Sequence, residues 1–394
     1  MNYILFDDKT WDNLRPLTHT RPVSELRIGI FTIREKWENL LQSKISYLTR
    51  DYLSEKYPIN IESENLIINS SVLPDNNIIK EINKLKPGES LYYNDKPIAL
   101  SCKNFDPKKI LETFNSSNKK SIQGLNIRFI EKLWHLFTSI KEEIDNDLEL
   151  IKNKEFAGKL NSSNTIIGNN IYIEEGVKAE CAVFNTKTGP IYLGKNSEVM
   201  EGSVIRGPFA LGESSTVKLN AKIYGPTCIG PHCKVGGEIN NSNFIGYANK
   251  AHDGFLGQAV IGEWCNIGAD TNNSNLKNNY AEVKLWNYSL NKFEKTGLQF
   301  CGLIMGDHSK CGINTMFNTG TVVGVSANIF GSGFPRNFIP DFTWGGASGY
   351  IEYNPGKAME VAEKVMARRT VNLSDIDKKI LNNIYEFTKD YRKF

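Results

Sequence analysis

Small and aliphatic residues recur at every sixth position through two stretches of this chain. The first stretch carries Leu193, Val199, Ile205, Leu211, Val217, Ile223, Ile229 and Val235. The second stretch carries Met305, Cys311, Phe317, Val323 and Ile329. A six-residue period matches neither the helical repeat of about 3.6 nor the alternation of a single strand. It predicts a parallel β-helix, in which each hexapeptide forms a short strand and a turn and the inward residues stack.

Weaker repeats extend this pattern towards the N-terminus and between the two stretches. They predict further inward residues at Ile167, Ile173, Ala179, Ile245, Ala251, Phe255, Ile261 and Ile267. Residues 272–300 interrupt the pattern and contain Trp286, Tyr288 and Phe293. A long segment that leaves a regular coil is usually functional, because the coil itself does not require it. We therefore expect this segment to flank a binding site.

The first 150 or so residues have a different pattern, in which apolar runs alternate with segments of helical spacing. The predicted elements are strands at residues 3–6 and 65–73, helices at 33–41 and 130–150, a polar loop at 7–13 and a hairpin at 90–100. Alternating strands and helices predict a small α/β layer.

Two helices are predicted after the last hexapeptide, at residues 357–367 and 374–391, with Ser374 as the N-cap of the second. Such helices would cover the open end of the coil, which otherwise exposes unpaired strand edges. The predicted domains are therefore an α/β domain at 1–152, a β-helix at 160–350 and a helical cap at 351–394.

Composition narrows the class of protein. The 394 residues are 40% hydrophobic and 23% charged, which is typical of a globular chain, and the net charge of +3 is too small to indicate nucleic acid or a polybasic membrane surface. No apolar run approaches the roughly 20 residues of a membrane span, and the first residues lack the features of a signal peptide. Seven scattered cysteines, without a CxxC pair, predict small buried residues in a cytoplasmic protein.

Two groups of motifs resemble one family. Residues 249–252, 255–257, 261–262 and 266–269 are similar to a segment of the bifunctional enzyme that acetylates glucosamine 1-phosphate and then uridylylates it. Residues 14–22, with the Ile-Gly pair at 28–29, resemble the signature of sugar-1-phosphate nucleotidyltransferases. Both occur in the same order in that family, and the nearest likeness is to a divergent subfamily with a hexapeptide domain.

The resemblance carries several expectations about architecture and ligands. It implies a shortened, Rossmann-like nucleotidyltransferase domain followed by a left-handed β-helix. It also implies a homotrimer and acetyl-CoA as a co-substrate. The expected partner is a nucleotide sugar or a sugar phosphate, rather than a nucleic acid or a membrane.

The N-terminal half departs from the family at the positions that would bind a nucleoside triphosphate. Its loop at residues 6–13 contains no glycine, Val23 replaces the family's lysine, and the serine pair at 70–71 replaces its metal-binding aspartate. Serine is a poor ligand for Mg²⁺, so no metal ligand is assigned, and Mg²⁺ is expected only if this domain is active. Arg15 and Arg21 are the predicted phosphate contacts of this half.

The acyltransferase half retains more of the family's residues. His252 matches the general base that removes the amine proton, a task suited to histidine near neutral pH. Asn275 matches an asparagine near the sugar amine, and Asn240 stands where the family has a phosphate-binding lysine. Together with Lys250, which lies in the matched segment, these two are the predicted substrate contacts. The phosphates of coenzyme A are assigned to the predicted helix, through Arg368 and Arg369.

Three functions remain open from the sequence. The first is transfer of an acetyl group from coenzyme A to an amino sugar carried on a phosphate or nucleotide. The second is a sugar-1-phosphate nucleotidyltransferase with unusual ligands, Asp7 and Asp8, in its active site. The third is a non-catalytic scaffold that binds a nucleotide sugar, which the long segment at 272–300 argues against.

Overall fold

Three stacks of short strands carry the hexapeptide pattern in the computed structural model, which describes residues 1–394. All neighbours within the stacks run parallel except the last pair of the third. The first sheet comprises Thr165–Ile167, Val183–Asn185, Val204–Arg206, Lys222–Tyr224, Glu238–Asn240 and Phe255–Gly257. The second comprises Ile171–Ile173, Ile191–Leu193, Phe209–Leu211, Thr227–Ile229, Asn243–Phe244, Val260–Ile261, Ile304–Met305, Val322–Val323 and Phe338–Ile339. The third comprises Lys178–Ala179, Glu198–Val199, Thr216–Val217, Lys234–Val235, Asn249–Lys250, Asn266–Ile267, Lys310–Cys311, Asn328–Ile329, Thr343–Gly346 and Gly349–Glu352. The predicted parallel β-helix is confirmed.

The inward residues of the three sheets form one continuous hydrophobic core. Every position of the two regular stretches, from Leu193 to Val235 and from Met305 to Ile329, is buried there. A fully buried aliphatic side chain contributes about 1.5–3 kcal/mol relative to an exposed one, so stacking of this kind accounts for the stability of a coil that has little other tertiary structure.

The weaker repeats are displaced by one residue in the middle of the coil. Phe244 pairs with Ile229, Lys250 with Val235, and Leu256 with Ile239, so these three residues point inward instead of the predicted Ile245, Ala251 and Phe255. The same displacement occurs at the first coil, where Ile166 rather than Ile167 aligns with the buried Phe184. In the middle, the coils are shorter than the 18 residues of three hexapeptides, so the inward positions no longer follow the six-residue period. Because one inward position is a lysine, a search for apolar residues does not detect this shift.

The predicted interruption of the coil contains its own hairpin. After Asn272–Asn273, which pairs with Met316–Phe317, the chain forms an antiparallel pair of Lys284–Asn287 and Lys292–Lys295. Trp286 of this hairpin stacks on Phe338 of the coil, with ring centroids 4.2 Å apart. The hairpin is therefore fixed to the coil by aromatic packing.

The N-terminal α/β unit contains a mixed six-stranded sheet. Its strands, in spatial order, are Ile45–Leu48, Asn2–Phe6, Asn65–Asn69, Lys96–Cys102, Glu89–Tyr93 and Asn118–Ser121. The first three are mutually parallel, and the fourth is antiparallel to its neighbours. Two further strands, Val72–Leu73 and Arg128–Phe129, form a separate antiparallel pair, and Phe31–Thr32 is a short strand before a helix. The predicted α/β class is confirmed.

The helices of this unit are short. They are Thr10–Asn13, Ile33–Leu41, Asn76–Ile82 and Ile110–Ser116, with 3₁₀ turns at Val23–Glu25, Asp51–Leu53 and Pro107–Lys109. The helix predicted at 33–41 is confirmed, and a capping box of Thr32 and Glu35 begins it. The predicted strand at 65–73 is divided in two, and the predicted loop at 7–13 contains the helix Thr10–Asn13.

The chain folds into two compact units, and each unit is built from segments that are not consecutive in the sequence. The α/β unit consists of Met1–Leu14, Thr20–Leu26 and Phe31–Lys132. The β-helix unit consists of Arg15–His19, Arg27–Ile30 and Leu133–Phe394, and it includes the short strand Arg27–Ile28. Two segments of the N-terminal signature therefore pack within the β-helix unit.

Helices cover parts of the β-helix unit. The helix predicted at 130–150 is wrong over its first five residues and is divided into His135–Thr138 and Ile140–Leu150. Asn243 Nδ2 of the second sheet donates to the carbonyl of Arg27 at 2.8 Å and of Leu136 at 3.0 Å, so this face of the coil is covered. The C-terminal helices are Pro355–Ala367 and Asp375–Phe387, followed by a 3₁₀ turn at Lys389–Tyr391; Ser374 is the N-cap, as predicted. None of the helices has both the length and the apolar character needed to cross a bilayer.

Candidate functional site

His252 lies on a corner of the coil that is longer than the corner beneath it. The His252 corner, residues 251–254, joins Asn249–Lys250 to Phe255–Gly257, whereas only Gly236 and Gly237 make the equivalent connection one coil earlier. The imidazole of His252 is exposed. A histidine on an exposed corner of a rigid coil is accessible to a substrate while its backbone is held in place.

The side chain of Lys250 supports this corner from inside the coil. Lys250 is only 1% exposed, and its Nζ donates to the carbonyl oxygens of His252 at 2.6 Å, Gly236 at 3.1 Å and Asp253 at 3.4 Å. Burial lowers the pKa of Lys250 to about 8. The sequence predicted a substrate contact for this lysine, but its ammonium reaches the backbone of the corner rather than the surface.

The glycine beneath the corner allows this close approach. Gly237 has φ +69°, and a Cβ added there would lie 2.8 Å from Cα of Asp253 and 2.9 Å from the carbonyl oxygens of His252 and Gly254. Distances of this size are shorter than van der Waals contact, so any other residue would displace the corner outward. The short, glycine-only corner and the long His252 corner are thus complementary in shape.

The structure brings two of the predicted substrate contacts to one strip of the first sheet. Asn240 is the register partner of Gly257, and a Cβ added at Gly257 would lie 2.7 Å from Nδ2 of Asn275. Asn275 donates through that amide to Oε1 of Gln258. The missing side chain at Gly257 makes room for the Asn275 amide and for the ring of Phe255, whose Cζ would lie 2.5 Å from an added Cβ.

A group of cations lies near the His252 corner, beside the strand Lys234–Val235 of the third sheet. We refer to Lys218, Lys234, Arg368 and Arg369 as the basic cluster. Arg369 lowers the pKa of Lys234, with smaller contributions from burial, Lys218 and Arg368, so all three of these cations lie close enough to repel the Lys234 ammonium. None of them forms an ion pair with a carboxylate. Converging cations that lack a partner are typical of an anion-binding surface.

Backbone packing connects the basic cluster to the His252 corner. A Cβ added at Gly236 would lie 3.1 Å from Cβ of Lys218 and 2.3 Å from the carbonyl oxygen of Ala251. Lys234 is the register partner of Asn249, which precedes the corner by two residues. Successive coils are about 4.8 Å apart, so the cluster begins roughly one to two coils from His252. The sequence predicted only the two arginines of this cluster as contacts for the phosphates of coenzyme A.

A ladder of stacked rings, which the sequence pattern does not predict, lies next to the basic cluster. Ring centroids are 4.7 Å apart between His232 and Tyr247 and 4.2 Å apart between Tyr247 and Trp264. All three residues have positive φ, because each occupies the same left-handed corner of successive coils. Burial lowers the pKa of His232, and Arg369 lowers it further, which locates this arginine beside the ladder. Unequal spacing along the chain conceals the ladder from a search for repeats.

A second candidate site lies in the α/β unit, at the carboxyl ends of its first two parallel strands. A cavity of about 410 Å³ there is lined by Asp7, Asp8, Arg50, Lys108 and Lys109, among others. The strand Asn2–Phe6 has a later strand on each side, so this edge is a topological switch point, where α/β folds usually bind ligands.

The two aspartates of this cavity do not fit a Mg²⁺ site. Asp7 accepts from Oγ1 of Thr49 at 2.6 Å and from the Val23 amide at 3.1 Å, and burial raises its pKa to about 6. Asp8 accepts from the Thr10 amide at 2.8 Å and from Nδ2 of Asn69 at 3.0 Å. All four carboxylate oxygens are therefore occupied by protein donors, and no group of three or more acidic, histidine or cysteine side chains could hold a metal.

The arginines predicted to bind phosphate do not line this cavity. Arg15 packs in the β-helix unit, with its guanidinium 5.4 Å from the ring centroid of Tyr288. Arg21 is 4% exposed, and its carbonyl accepts from Nε1 of Trp11 at 3.3 Å. Arg50 and the two lysines are the cations that face the cavity, and the sequence analysis did not select them.

Comparisons with known proteins bear on both halves. The profile of a sugar nucleotidyl transferase family matches residues 3–155. The N-terminal part is thus similar to sugar nucleotidyl transferases. No curated protein sequence matches the chain.

Solved structures resemble the β-helix at low identity. An Arabidopsis UDP-N-acetylglucosamine acyltransferase is 17% identical over 54% of this chain and 80% of its own, with a TM-score of 0.26. LpxA from Acinetobacter baumannii is 12% identical over 59% and 93%, with a TM-score of 0.30. AntD from Bacillus cereus, an N-acyltransferase solved with dTDP-4-amino-4,6-dideoxyglucose and coenzyme A, is 13% identical over 56% and 95%, with a TM-score of 0.24.

Proposed function

We propose that the β-helix transfers an acyl group, acetyl in the simplest case, from coenzyme A to the amine of an amino sugar carried on a phosphate or nucleotide. The observation that carries this proposal is the position of the basic cluster, four cations without carboxylate partners, beside the exposed His252 corner. A phosphate-rich donor and a histidine base are the two requirements of this reaction, and the surface offers groups for both.

The residues of the site have distinct roles in this proposal. Lys218, Lys234, Arg368 and Arg369 would hold the phosphates of coenzyme A, whose thioester supplies the acyl group. His252 would accept the proton that the amine loses as nitrogen attacks the thioester carbon and the carbon–sulfur bond breaks. Asn240 and Asn275, which lie beside Gly257, would position the acceptor by hydrogen bonds.

Two substitutions separate these roles. We expect His252→Ala to lower kcat by about 10²–10⁴-fold, the usual contribution of a general base, with little change in KM for acetyl-CoA. We expect Lys234→Ala to raise that KM several-fold with kcat retained, because it removes one phosphate contact. Both are measured by thiol release from acetyl-CoA with a panel of amino-sugar phosphates and nucleotide amino sugars.

Lys178→Ala is the matched control, since Lys178 is an exposed lysine at the far end of the same sheet. Its kinetic constants should equal those of the native protein. Equal activity of His252→Ala and the native protein on every accepted substrate would exclude the assignment of His252.

The α/β unit is a second candidate for nucleotide chemistry, favoured by the family match and by the cavity at the carboxyl ends of its strands. We infer a binding role, with Arg50, Lys108 and Lys109 facing the phosphates, because Asp7 and Asp8 are occupied by protein donors. Release of pyrophosphate from UTP or dTTP with a sugar 1-phosphate would instead identify a nucleotidyltransferase, and the same substrate panel tests it.

A further inference from the structure

A second cavity lies in the β-helix unit, between the extruded hairpin and the last coils. Its volume is about 400 Å³, within the range of small-molecule sites. Its aromatic lining residues are Trp286, Phe293, Phe338, Tyr350, Tyr391 and Phe394. Trp286 and Phe338 are stacked with their planes 13° apart, whereas Phe293 and Phe394 are 41% and 47% exposed. The walls therefore offer flat apolar surface that is partly open to solvent.

The charged side chains of this cavity are both cations. Arg336 and Lys393 line it, and no aspartate or glutamate does. The guanidinium of Arg336 lies 5.9 Å from the ring centroid of Tyr350 and forms no ion pair, whereas Lys393 makes only an exposed pair with Asp390 at 3.0 Å. Nε1 of Trp286 is buried and donates to no acceptor. The cavity is thus lined by two cationic side chains and by no acidic one.

A ligand that fits this lining has a planar apolar part and an anionic group. We propose that this cavity binds a nucleoside phosphate, with its base against the aromatic walls and its phosphate on Arg336. Bases stack on aromatic side chains regardless of their identity, and arginine suits phosphate because its fork can donate two parallel hydrogen bonds.

This site is separate from the one at His252. Phe338 lies four strands along the second sheet from Asn243–Phe244, whose coil carries the His252 corner. At about 4.8 Å between strands, the separation along the coil is roughly 19 Å. The proposal therefore does not depend on acyl transfer, and the two can fail independently.

The experiment uses the full chain with AMP, UMP and TMP as probes, and with uridine and ribose 5-phosphate as fragments. Binding is followed by calorimetry and by the indole N–H resonance of Trp286, assigned from Trp286→Phe. We expect at least one nucleotide to bind and shift this resonance, and each fragment to bind at least ten-fold more weakly. Arg336→Ala should raise the Kd of that nucleotide at least ten-fold.

Three controls make the result specific to this cavity. Lys292→Ala removes an exposed cation from the same hairpin without altering the lining, and it should leave the Kd unchanged. His252→Ala should also leave it unchanged. Binding that is lost in Arg50→Ala but kept in Arg336→Ala would locate the nucleotide in the α/β unit and overturn the proposal. An unshifted Trp286 resonance at millimolar nucleotide would overturn it as well.

Discussion

Lys250 shows how one side chain can serve a site without facing it. It occupies an inward position between Val235 and Ile267, where every neighbour along the column is apolar, and its ammonium holds three carbonyl oxygens of two corners. Burial lowers its pKa to about 8 from an ordinary value of 10.5, which corresponds to a cost of about 3 kcal/mol for keeping the charge inside. A charge retained at that cost indicates a positioning role.

We expect Lys250→Met to lower kcat for acyl transfer about ten-fold while changing the unfolding free energy at pH 7 by less than about 2 kcal/mol. Removing the buried charge stabilises the protein and so offsets the stability lost with its hydrogen bonds. At the corner, however, no other donor replaces those hydrogen bonds. Hydrogen exchange of the Asp270 amide, which donates to the Asp253 carbonyl at 3.0 Å, should accelerate.

The pH dependence of stability provides a second readout for the same residue. Because the folded pKa lies below the unfolded one, the unfolded chain binds more protons between about pH 8 and 10.5, and the contribution of Lys250 to stability rises with pH in that window. Lys250→Met should show a smaller rise than the native protein, because only the part due to Lys310, whose pKa burial also lowers to about 8, remains. Lys310→Met is the matched control: it removes another buried ammonium, which donates to the His308 carbonyl at 2.7 Å, and it should leave Asp270 exchange and kcat unaltered.

The coils of this β-helix differ in length mainly at their corners. The close contact between Gly237 and the His252 corner can be tested by substitution. We expect Gly237→Ala to destabilise the protein by about 2–4 kcal/mol, because strain at positive φ adds to a clash with the corner above. The fraction of folded protein at the assay temperature is measured by circular dichroism. The fractional decrease in kcat should be larger than the fractional decrease in folded protein.

Gly331→Ala separates strain from the clash. Gly331 also has positive φ, at +98°, but a Cβ there would meet no atom within 4 Å. Only the backbone penalty of about 1 kcal/mol should remain, with kcat unchanged. A loss of kcat equal to that of Gly237→Ala would show that the fit of the two corners is unimportant.

The sequence predicts regular elements well and irregular corners poorly. Leu193 to Val235 could be assigned inward from the period alone, because burial imposes the same requirement on every coil. Lys250 could not, because an apolar pattern excludes lysine, and the frame was therefore placed one residue late at Ala251. The ring ladder was missed for a related reason: coils of unequal length bring His232, Tyr247 and Trp264 together without a fixed spacing.

The candidate site was predictable to a smaller extent than the fold. A motif placed His252 and Asn275, and the structure brings the strip of Asn275 next to the His252 corner. Contacts between residues far apart in the chain carry no local signal, so the convergence of Arg369 with Lys234 required the coordinates. Side-chain direction was equally invisible, as Arg15 illustrates by packing on Tyr288.

At the scale of the whole molecule, we predict a homotrimer that closes along the corner carrying His252. The second sheet is covered by residues 27–30 and the helices after residue 134, so contact must involve the other faces. Leu219 and Ile313, on corners that flank the His252 corner, are 58% and 70% exposed. Exposed aliphatic residues in one line are typical of an interface.

Light scattering after gel filtration should give three times the chain mass of 44.4 kDa. Ile313→Lys should yield monomers, because it introduces a charge into the expected contact. Ile351→Lys alters a residue that is 64% exposed at the other end of the coil, and it should leave the assembly intact. A native monomer, or a trimer that persists in Ile313→Lys, would contradict this arrangement.

The difference in length between neighbouring corners has a consequence for how such a protein can diversify. The connection at Gly236 and Gly237 is two residues shorter than the equivalent connections at 218–221 and 251–254, yet the strands on either side keep their partners in register. A change in the length of a corner therefore has little effect on folding, whereas insertion of one residue within a strand would turn its core side chains towards solvent. New substrates could be acquired by lengthening corners one at a time, with each trial starting from a protein that already folds.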